Sequence, residues 1–229
     1  MKILYSLAMI LASAMTVNAQ VTNYALELEP QGHVNCGSMP EMEGLASYTV
    51  QFWINPASWI EGAKLISLGN RFSATLGSTG EIIFTSGNTT LTASSSALKP
   101  GAWAQYTLVC DNGRASATVN GAEAASGTLD AIPAAAGEFV IGGGYTGRID
   151  EIRLWKAVLA DRYDRFMFNT INRWNPQWED LYAYYKMDQD ECADLVEYKA
   201  IEADEEPAFN NHGIISESGA RRVNASDNT

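Results

Sequence analysis

Carboxylates are the most frequent side chains here that could do acid–base chemistry, because Asp and Glu together number 27 against two His and three Cys. Retaining hydrolysis of a glycosidic bond needs two carboxyl groups about 5–5.5 Å apart, one as nucleophile and one as proton donor. Asp150 and Glu151 are adjacent in a predicted strand, where neighbouring side chains point to opposite faces. We therefore do not expect them to form such a pair.

Other kinds of catalytic or metal site have little support in the sequence. Ser/His/Asp catalysis would need a histidine, and His33 and His212 both stand in turn-like contexts. Cys36, Cys110 and Cys192 form no C-x-x-C pair, so neither a zinc site nor a redox motif is indicated. One disulfide is possible in an oxidising compartment, but the spacing does not select the pair. Cys110 lies in an apolar, strand-like run and is expected to be buried.

An acidic run covers residues 188–206, which contain nine acidic residues in 19 positions and Lys199 as the one base. Runs of this kind are usually solvated loops, and a cation site is the alternative. Asp188 and Asp190 could share a face of the preceding strand, but they lie at the start of this acidic run.

Aromatic side chains are the best candidates for carbohydrate recognition, because a sugar ring offers an apolar C–H face for stacking. Trp53 and Trp155 lie inside strand-like runs and are expected in the core. Other aromatic residues stand in loop contexts, where each could alternatively anchor its loop beneath the edge of the fold. The candidate ligand-binding residues are Trp59, Tyr145, Trp174 and Trp178.

The elements that must position these residues are short strands. Between residues 21 and 155, apolar-alternating runs recur at intervals of about 8–12 residues, which is typical of an all-β sandwich or barrel. In the clearest run Tyr48, Val50, Phe52 and Ile54 fall on one face. Strands are predicted at residues 48–54, 64–68, 72–76, 81–85, 89–93, 103–111, 115–119, 139–141, 148–155, 181–187 and 214–215.

The periodicity changes after residue 155. Residues 159–171 carry apolar and aromatic side chains at helical spacing, which predicts one short helix near the C-terminal part of the chain. Residues 224–229 are expected to fray. No internal repeat and no inter-domain linker is evident, so residues 20–229 are expected to form a single domain.

Residues 1–19 have the pattern of a secretory signal peptide. Lys2 supplies a positive start, residues 3–15 are almost unbroken apolar sequence, and small residues precede the expected cleavage point. The apolar stretch is too short to span a membrane, and no cysteine follows it to carry a lipid. We expect export to the periplasm, the cell surface or the medium.

The charge balance of 15 basic and 27 acidic residues gives a formal net charge of -12. A chain this negative is repelled by nucleic acid and by anionic membrane surfaces, so neither is expected as a partner. No later apolar segment approaches about 18 residues, so membrane insertion is not expected either.

Several of these strands resemble the concanavalin A-like, laminin-G-like superfamily. Residues 24–28, 34–37 and 48–54 resemble its opening strands, and residues 103–109 resemble its W-x-H-V-A-V-T strand. Residues 147–155, GRIDEIRLW, resemble its G-x-I-D-E-V-R-I-W motif and are the most distinctive. The resemblance covers about residues 24–215. It implies a two-sheet antiparallel jelly-roll sandwich, which serves lectins, adhesion modules, pentraxin-like binders and glycanases alike.

The resemblance also bears on the candidate sites. Glycanases of this fold carry their acids in an E-x-D-x-x-E pattern on one strand, and no such triplet occurs here. In related sandwiches, the aspartate of the last-strand motif joins carbonyls of the first strand around one structural calcium, an ion that takes six to eight oxygens. The matching residue is Asp150, with the carbonyls near Glu29 and Gly32 as partners. The alternative is that Asp150 bonds nearby backbone amides.

These observations favour a non-catalytic, exported binding module whose partner is a glycan or a protein surface. One alternative is a glycan-active hydrolase whose site the motifs do not reveal. The other is a structural or interaction protein of a surface assembly.

Overall fold

The structure is a computed structural model that describes residues 23–134, 136–159, 171, 174–188, 214–216 and 218–224. These residues form two antiparallel β-sheets, which confirms the predicted all-β sandwich. The signal peptide, most of the predicted helix and most of the acidic run lie outside the described residues, as do Cys192 and His212. Within the described part, no helix has the length and apolar character needed to cross a bilayer.

Sheet A contains β1 (Tyr24–Leu28), β3 (Ser47–Pro56), β8 (Ala104–Asp111), β9 (Arg114–Val119), β10 (Ala122–Thr128), β12 (Gly147–Trp155), β13 (Leu181–Tyr185) and β15 (Ala220–Asn224). Sheet B contains β2 (His33–Ser38), β4 (Lys64–Leu68), β5 (Phe72–Leu76), β6 (Ile82–Ser86), β7 (Thr89–Ala93), β11 (Glu138–Gly142) and β14 (Ile214–Ile215). The order in sheet A is β10-β9-β8-β3-β12-β1-β15, with β13 also paired to β12. The order in sheet B is β14-β2-β11-β4-β5-β6-β7.

Strand β3 shows how the sequence builds the core between the sheets. Tyr48, Val50, Phe52 and Ile54 are all fully buried there, as the alternation predicts. The Phe52 ring stacks on Tyr106 of the neighbouring β8, with 5.7 Å between the ring centroids. Burying one large apolar side chain contributes roughly 1.5–3 kcal/mol, so this layer is a main source of stability.

Strand β12 pairs with three strands and fixes the middle of sheet A. One of its edges runs along β3, while the other is shared between β1, at residues 147–149, and β13, at residues 152–155. Near the junction a β-bulge lies between Asp150 and Arg153 in the register with β3. Glu151 in this bulge has a φ of 53°, a left-handed conformation that residues other than glycine rarely adopt.

The sequence patterns do not predict strands β10 and β15. Strand β10 consists of Ala, Glu, Ser, Gly and Thr without alternating apolar residues, and it pairs with β9 across the turn at Asn120 and Gly121. Strand β15 pairs antiparallel with β1 and places Asn224 opposite Tyr24. The first and last described segments of the chain therefore lie side by side, and residue 224, expected to fray, belongs to a strand.

Cys36 and Cys110 are buried thiols, and no disulfide joins them. They belong to different sheets, on β2 and β8. The prediction that Cys110 is buried is confirmed, and burial raises the pKa of its thiol. Its Sγ lies 3.7 Å from the carbonyl oxygen of Ala46 and 3.8 Å from that of Leu129. Cys110 therefore acts as a small core residue.

Candidate functional site

The outer faces of the two sheets differ in exposure. The middle of the outer face of sheet A, here the closed face, carries outward-pointing side chains that are each 9% exposed or less: Thr49, Gln51, Trp53, Gln105, Thr107, Asp150, Arg153 and Trp155. The outer face of sheet B, here the open face, carries side chains that are partly or fully exposed: Asn35, Ser73, Thr75, Ile83, Thr85, Thr90, Thr92 and Val140. A ligand arriving from solvent can therefore reach the side chains of the open face but not those in the middle of sheet A.

Hydrogen bonds hold the polar side chains of the closed face to one another. Trp155 Nε1 donates to Gln51 Oε1 at 3.0 Å, and Gln51 Nε2 donates to Thr107 Oγ1 at 3.2 Å. Gln105 Nε2 donates to the same oxygen of Thr107 at 2.5 Å. Because a buried polar group is costly unless it is hydrogen-bonded, these contacts are what makes the closed face stable without solvent.

Arg153 is a buried charge on the closed face. Its Nη2 donates to Glu151 Oε2 at 2.5 Å and to the Tyr184 hydroxyl oxygen at 3.0 Å, and the Tyr184 hydroxyl donates to Glu151 Oε2. Burial opposes the charge on Arg153, but the Glu151 carboxylate and the Tyr184 hydroxyl nevertheless raise its pKa. Burial also raises the pKa of Tyr184. Arg153 therefore stays charged and Tyr184 stays protonated at neutral pH.

The bulge in β12 puts the carboxyl groups of Asp150 and Glu151 on the closed face. Asp150 pairs with Trp53, which points outward, and the Glu151 carboxylate contacts Arg153 and Tyr184 on the same side of the sheet. The prediction that they point to opposite faces is wrong, because it assumed regular alternation through a bulged strand. Asp150 is fully buried, and its Oδ1 accepts from the backbone N–H of Glu151 at 2.8 Å. Strand β12 therefore offers no carboxyl pair to a substrate from solvent.

The predicted calcium ligands do not come together. Leu26 of β1 pairs with Ile149 of the antiparallel β12. Asp150 lies one residue beyond this pair at one end, and Glu29 lies three residues beyond it at the opposite end, so four residues separate the two along the strands. Four residues along a strand correspond to roughly 14 Å, whereas every ligand of a calcium ion lies within about 2.6 Å of it. The structure corrects this expectation: Asp150 and the carbonyls of Glu29 and Gly32 do not fit one ion. The described residues also contain no group of three or more His, Cys, Asp or Glu side chains that could hold a metal.

Tyr145 and Trp178, two of the predicted ligand-binding residues, are buried. Tyr145 lies in the main core, where its hydroxyl donates to the carbonyl oxygen of Arg148 at 3.1 Å. Trp178 belongs to a second apolar cluster, which consists of Trp155, Leu159, Ile171, Trp178, Leu181 and Tyr184. Since neither ring has a face that a sugar from solvent could reach, the structure corrects both predictions.

Trp59 and Trp174, the other two predicted residues, are exposed to different degrees. Trp59 is half-buried and packs against the core. Its ring lies over Gly80, where a Cβ atom would be 2.9 Å from Trp59 Cζ2, so Trp59 anchors the loop between β3 and β4. Trp174 is 81% exposed and is open to a ligand. It lies on the segment that leads through the 3-10 turn Trp178–Asp180 into β13 of sheet A.

A row of short side chains crosses the open face. The strand registers align six residues on six strands: Asn35, Val140, Ser67, Ser73, Thr85 and Thr90. Neighbouring strands are about 4.8 Å apart, so the row is roughly 24 Å long. The sequence motifs do not reveal this row, because the alignment depends on strand pairing. Its one visible signal in the sequence is the hydroxyl residues at alternate positions of β5 and β7.

A depression of about 300 Å³ lies on the open face around Ser67. Its walls are formed by His33, Lys64, Ser67, Gly69, Glu138, Val140, Gly142 and Gly143. Ser67 is only 3% exposed, and Glu138 Oε2 accepts from Asn35 Nδ2 at 2.8 Å. Ligand sites typically combine a concave surface with a few convergent polar groups, and this depression has both.

The sequence model of the concanavalin A-like lectin/glucanases superfamily matches residues 29–162 of the chain. The chain belongs to this superfamily. The resemblance to this superfamily is thereby confirmed, and the match covers residues 29–162 of the expected 24–215. The GRIDEIRLW motif of the superfamily is strand β12, the strand that carries the bulge and joins β3, β1 and β13. No curated protein matches the sequence.

Two solved structures share the superfamily fold with this chain at low sequence identity. A proposed carbohydrate-binding protein from Bacteroides ovatus is 16% identical with a TM-score of 0.66, over 90% of this chain and 60% of that protein. Domain 4 of AbnA, a GH43 extracellular arabinanase from Geobacillus stearothermophilus, was solved with arabinotriose. It is 19% identical with a TM-score of 0.52, over 62% of this chain and 75% of that chain. The chain thus spans about 60% of the length of the Bacteroides ovatus protein.

Proposed function

We propose that this superfamily member is a non-catalytic, exported module that binds a glycan through the open face of sheet B. The observation that carries the proposal is the depression around Ser67, which lies on the face that solvent reaches. Lys64, Ser67, Glu138 and His33 bring hydrogen-bond donors and acceptors to its walls, and sugar hydroxyls need both. Export is part of the proposal and rests on the signal-peptide pattern of residues 1–19.

The arrangement of acids supports binding rather than hydrolysis. Glycoside hydrolysis requires two carboxyl groups that face the same bond. Among the described residues that line the depression, Glu138 is the single carboxylate, and Asn35 donates to it. The carboxyl groups of Asp150 and Glu151 lie on the closed face, on the other side of the sandwich.

A carbohydrate is favoured over other small ligands by two considerations. The Bacteroides ovatus protein is described as carbohydrate-binding, and the arabinanase domain was solved with arabinotriose. The row of short side chains also continues from Ser67 through Ser73, Thr85 and Thr90, so a chain of sugar units could extend beyond the depression. A flat protein surface is the competing partner for such a row.

A glycan array followed by calorimetry on the purified protein tests the proposal. Thr85→Trp places a large ring in the middle of the row, and Thr128→Trp places the same ring on the exposed strand β10 of sheet A. We expect binding to fall at least tenfold in the first variant and to stay unchanged in the second. Trp174→Ala is expected to retain binding.

Three outcomes would contradict the proposal. Loss of binding in Trp174→Ala but not in Thr85→Trp would move the site away from the open face. Release of shortened glycan products would show a hydrolase. An array without any bound glycan, together with a protein that co-purifies and is lost in Thr85→Trp, would show that the open face binds a protein surface.

A further inference from the structure

We infer that the depression on the open face recognises a sugar unit that carries a carboxylate, with Lys64 as the counter-charge and Ser67 as a hydrogen-bond donor. This inference rests on the proposed function and specifies its ligand. The ligand class is an acidic oligosaccharide, whose carboxylate lies at the Lys64 end and whose neighbouring hydroxyls lie at the Glu138 end.

The strand registers show that the depression has two ends of opposite character. His33 pairs with Gly142, and the backbone N–H of Lys64 donates to the Gly143 carbonyl, so His33 and Lys64 lie at the same end. Glu138 lies at the other end, where its carbonyl accepts from the backbone N–H of Gly69. Lys64 and Gly69 are five residues apart in the chain, but the irregularity between Lys64 and Ile66 shortens this path to about four residues, or roughly 14 Å along the strand. The cation and the carboxylate therefore belong to opposite ends of the depression, and none of the ion pairs of the described residues joins them.

Ser67 occupies the floor between the two ends. It points to the open face with Val140 and Ser73 as its cross-strand neighbours, and it is 3% exposed. Its hydroxyl makes no hydrogen bond with any described residue. A nearly buried hydroxyl without a partner, on the wall of a depression, is a donor available to a ligand oxygen.

Lys64 supplies a positive charge that no described acid neutralises. The side chain is exposed, and it takes part in none of the ion pairs of the described residues. The chain as a whole has a net charge of -12, so its overall field repels anions. Binding of an acidic sugar therefore depends on a local cation, and Lys64 is the one lysine or arginine among the described residues that line the depression.

Matched pairs of charged and neutral ligands separate this inference from the proposed function. The first pair of probes is trigalacturonate and its methyl ester, and the second is 3'-sialyllactose and lactose. Calorimetry measures the affinity for each probe, and the glycan array extends the comparison to its other charged and neutral pairs. Lys64→Gln removes the charge from the depression, and Lys99→Gln removes an exposed charge from the loop before β8. Both variants should unfold at the same denaturant concentration as the original protein.

We expect the original protein and Lys99→Gln to prefer the charged member of a pair at least tenfold. Lys64→Gln should bind the charged and the neutral member of a pair with similar affinity, and Ser67→Ala should weaken binding of the charged member by a smaller factor. Glycan binding without any charge preference, or equal preferences in Lys64→Gln and Lys99→Gln, would overturn the inference and leave the proposed function standing. An array without any bound glycan would overturn both.

Discussion

The closed and open faces are built from strands with the same alternation, yet their outward side chains behave in opposite ways. On the closed face many of these side chains are polar, as Gln51, Gln105 and Arg153 are, and they hydrogen-bond to neighbouring side chains out of contact with water. On the open face they are short hydroxyl or aliphatic groups, as Ser73 and Thr85 are, and solvent reaches them. The closed face therefore contributes stability, and the open face leaves room for a partner.

The largest expected effect on stability comes from the buried charge of the closed face. Arg153→Ala leaves the Glu151 carboxylate without its buried cation, which typically costs about 3–5 kcal/mol of the free energy of unfolding. Arg114→Ala, at the exposed first position of β9, is the control and should change this free energy by less than about 0.5 kcal/mol. Urea denaturation measures both. Equal losses in the two variants would show that Arg153 is not essential to the closed face.

The same substitution on the two faces gives the most direct comparison. Thr107→Val removes an oxygen that accepts from Gln51 and Gln105, and leaving buried donors without a partner costs about 1–3 kcal/mol. Thr85→Val on the open face should change the free energy of unfolding by less than about 0.5 kcal/mol, since valine suits a strand. Chemical denaturation of both variants is the measurement. A similar change in both would mean that the two faces contribute alike to stability.

A smaller effect concerns the dependence of stability on alkaline pH. Burial raises the pKa of Tyr184 above its ordinary value of about 10. The contribution that this group makes to the free energy of unfolding is therefore fully present below pH 10. Above pH 10 the unfolded chain releases this proton while the folded chain keeps it. The free energy of unfolding then falls by up to about 1.4 kcal/mol per pH unit for this group.

Tyr184→Phe removes the hydroxyl whose proton release causes this loss of stability. The variant should therefore show a shallower loss of stability between pH 10 and pH 11, with the same slope as the original protein between pH 8 and pH 9. Urea midpoints at these four pH values provide the measurement. Parallel slopes throughout would mean that Tyr184 ionises in the folded protein as readily as in the unfolded chain.

The sequence predicts those parts of the fold that local alternation determines. Tyr48 and Phe52 are in the core because every second residue of β3 is large and apolar, and GRIDEIRLW identifies the superfamily. The bulge at Asp150 and Glu151 was not predictable, because it lies where β12 changes partner from β1 to β13, and both partners are distant in the chain. A glutamate with positive φ gives no local signal of its own.

The candidate site is less visible in the sequence than the fold. Tyr145 looks exposed because it follows three glycines, but their positive φ values allow the chain to turn so that the ring enters the core. Of the four predicted aromatic residues, Trp174 is the one that the structure shows largely exposed to solvent. Lys64 and Ser67 belong to one depression only because β4 pairs with β11, which no motif in the sequence specifies.

The pairing of β1 with β15 determines how the fold would respond to mechanical tension. Tyr24 and Asn224 face each other at one end of this antiparallel pair, so a force that separates them opens the ladder one hydrogen-bonded pair at a time instead of shearing it. Unzipping of this kind starts at the edge of sheet A. The load then passes to β2 and β14, the strands next to β1 and β15 along the chain, which pair with each other in sheet B. Tension would therefore reach the depression from its His33 end, and a bound partner would be released only after the β1–β15 ladder has opened.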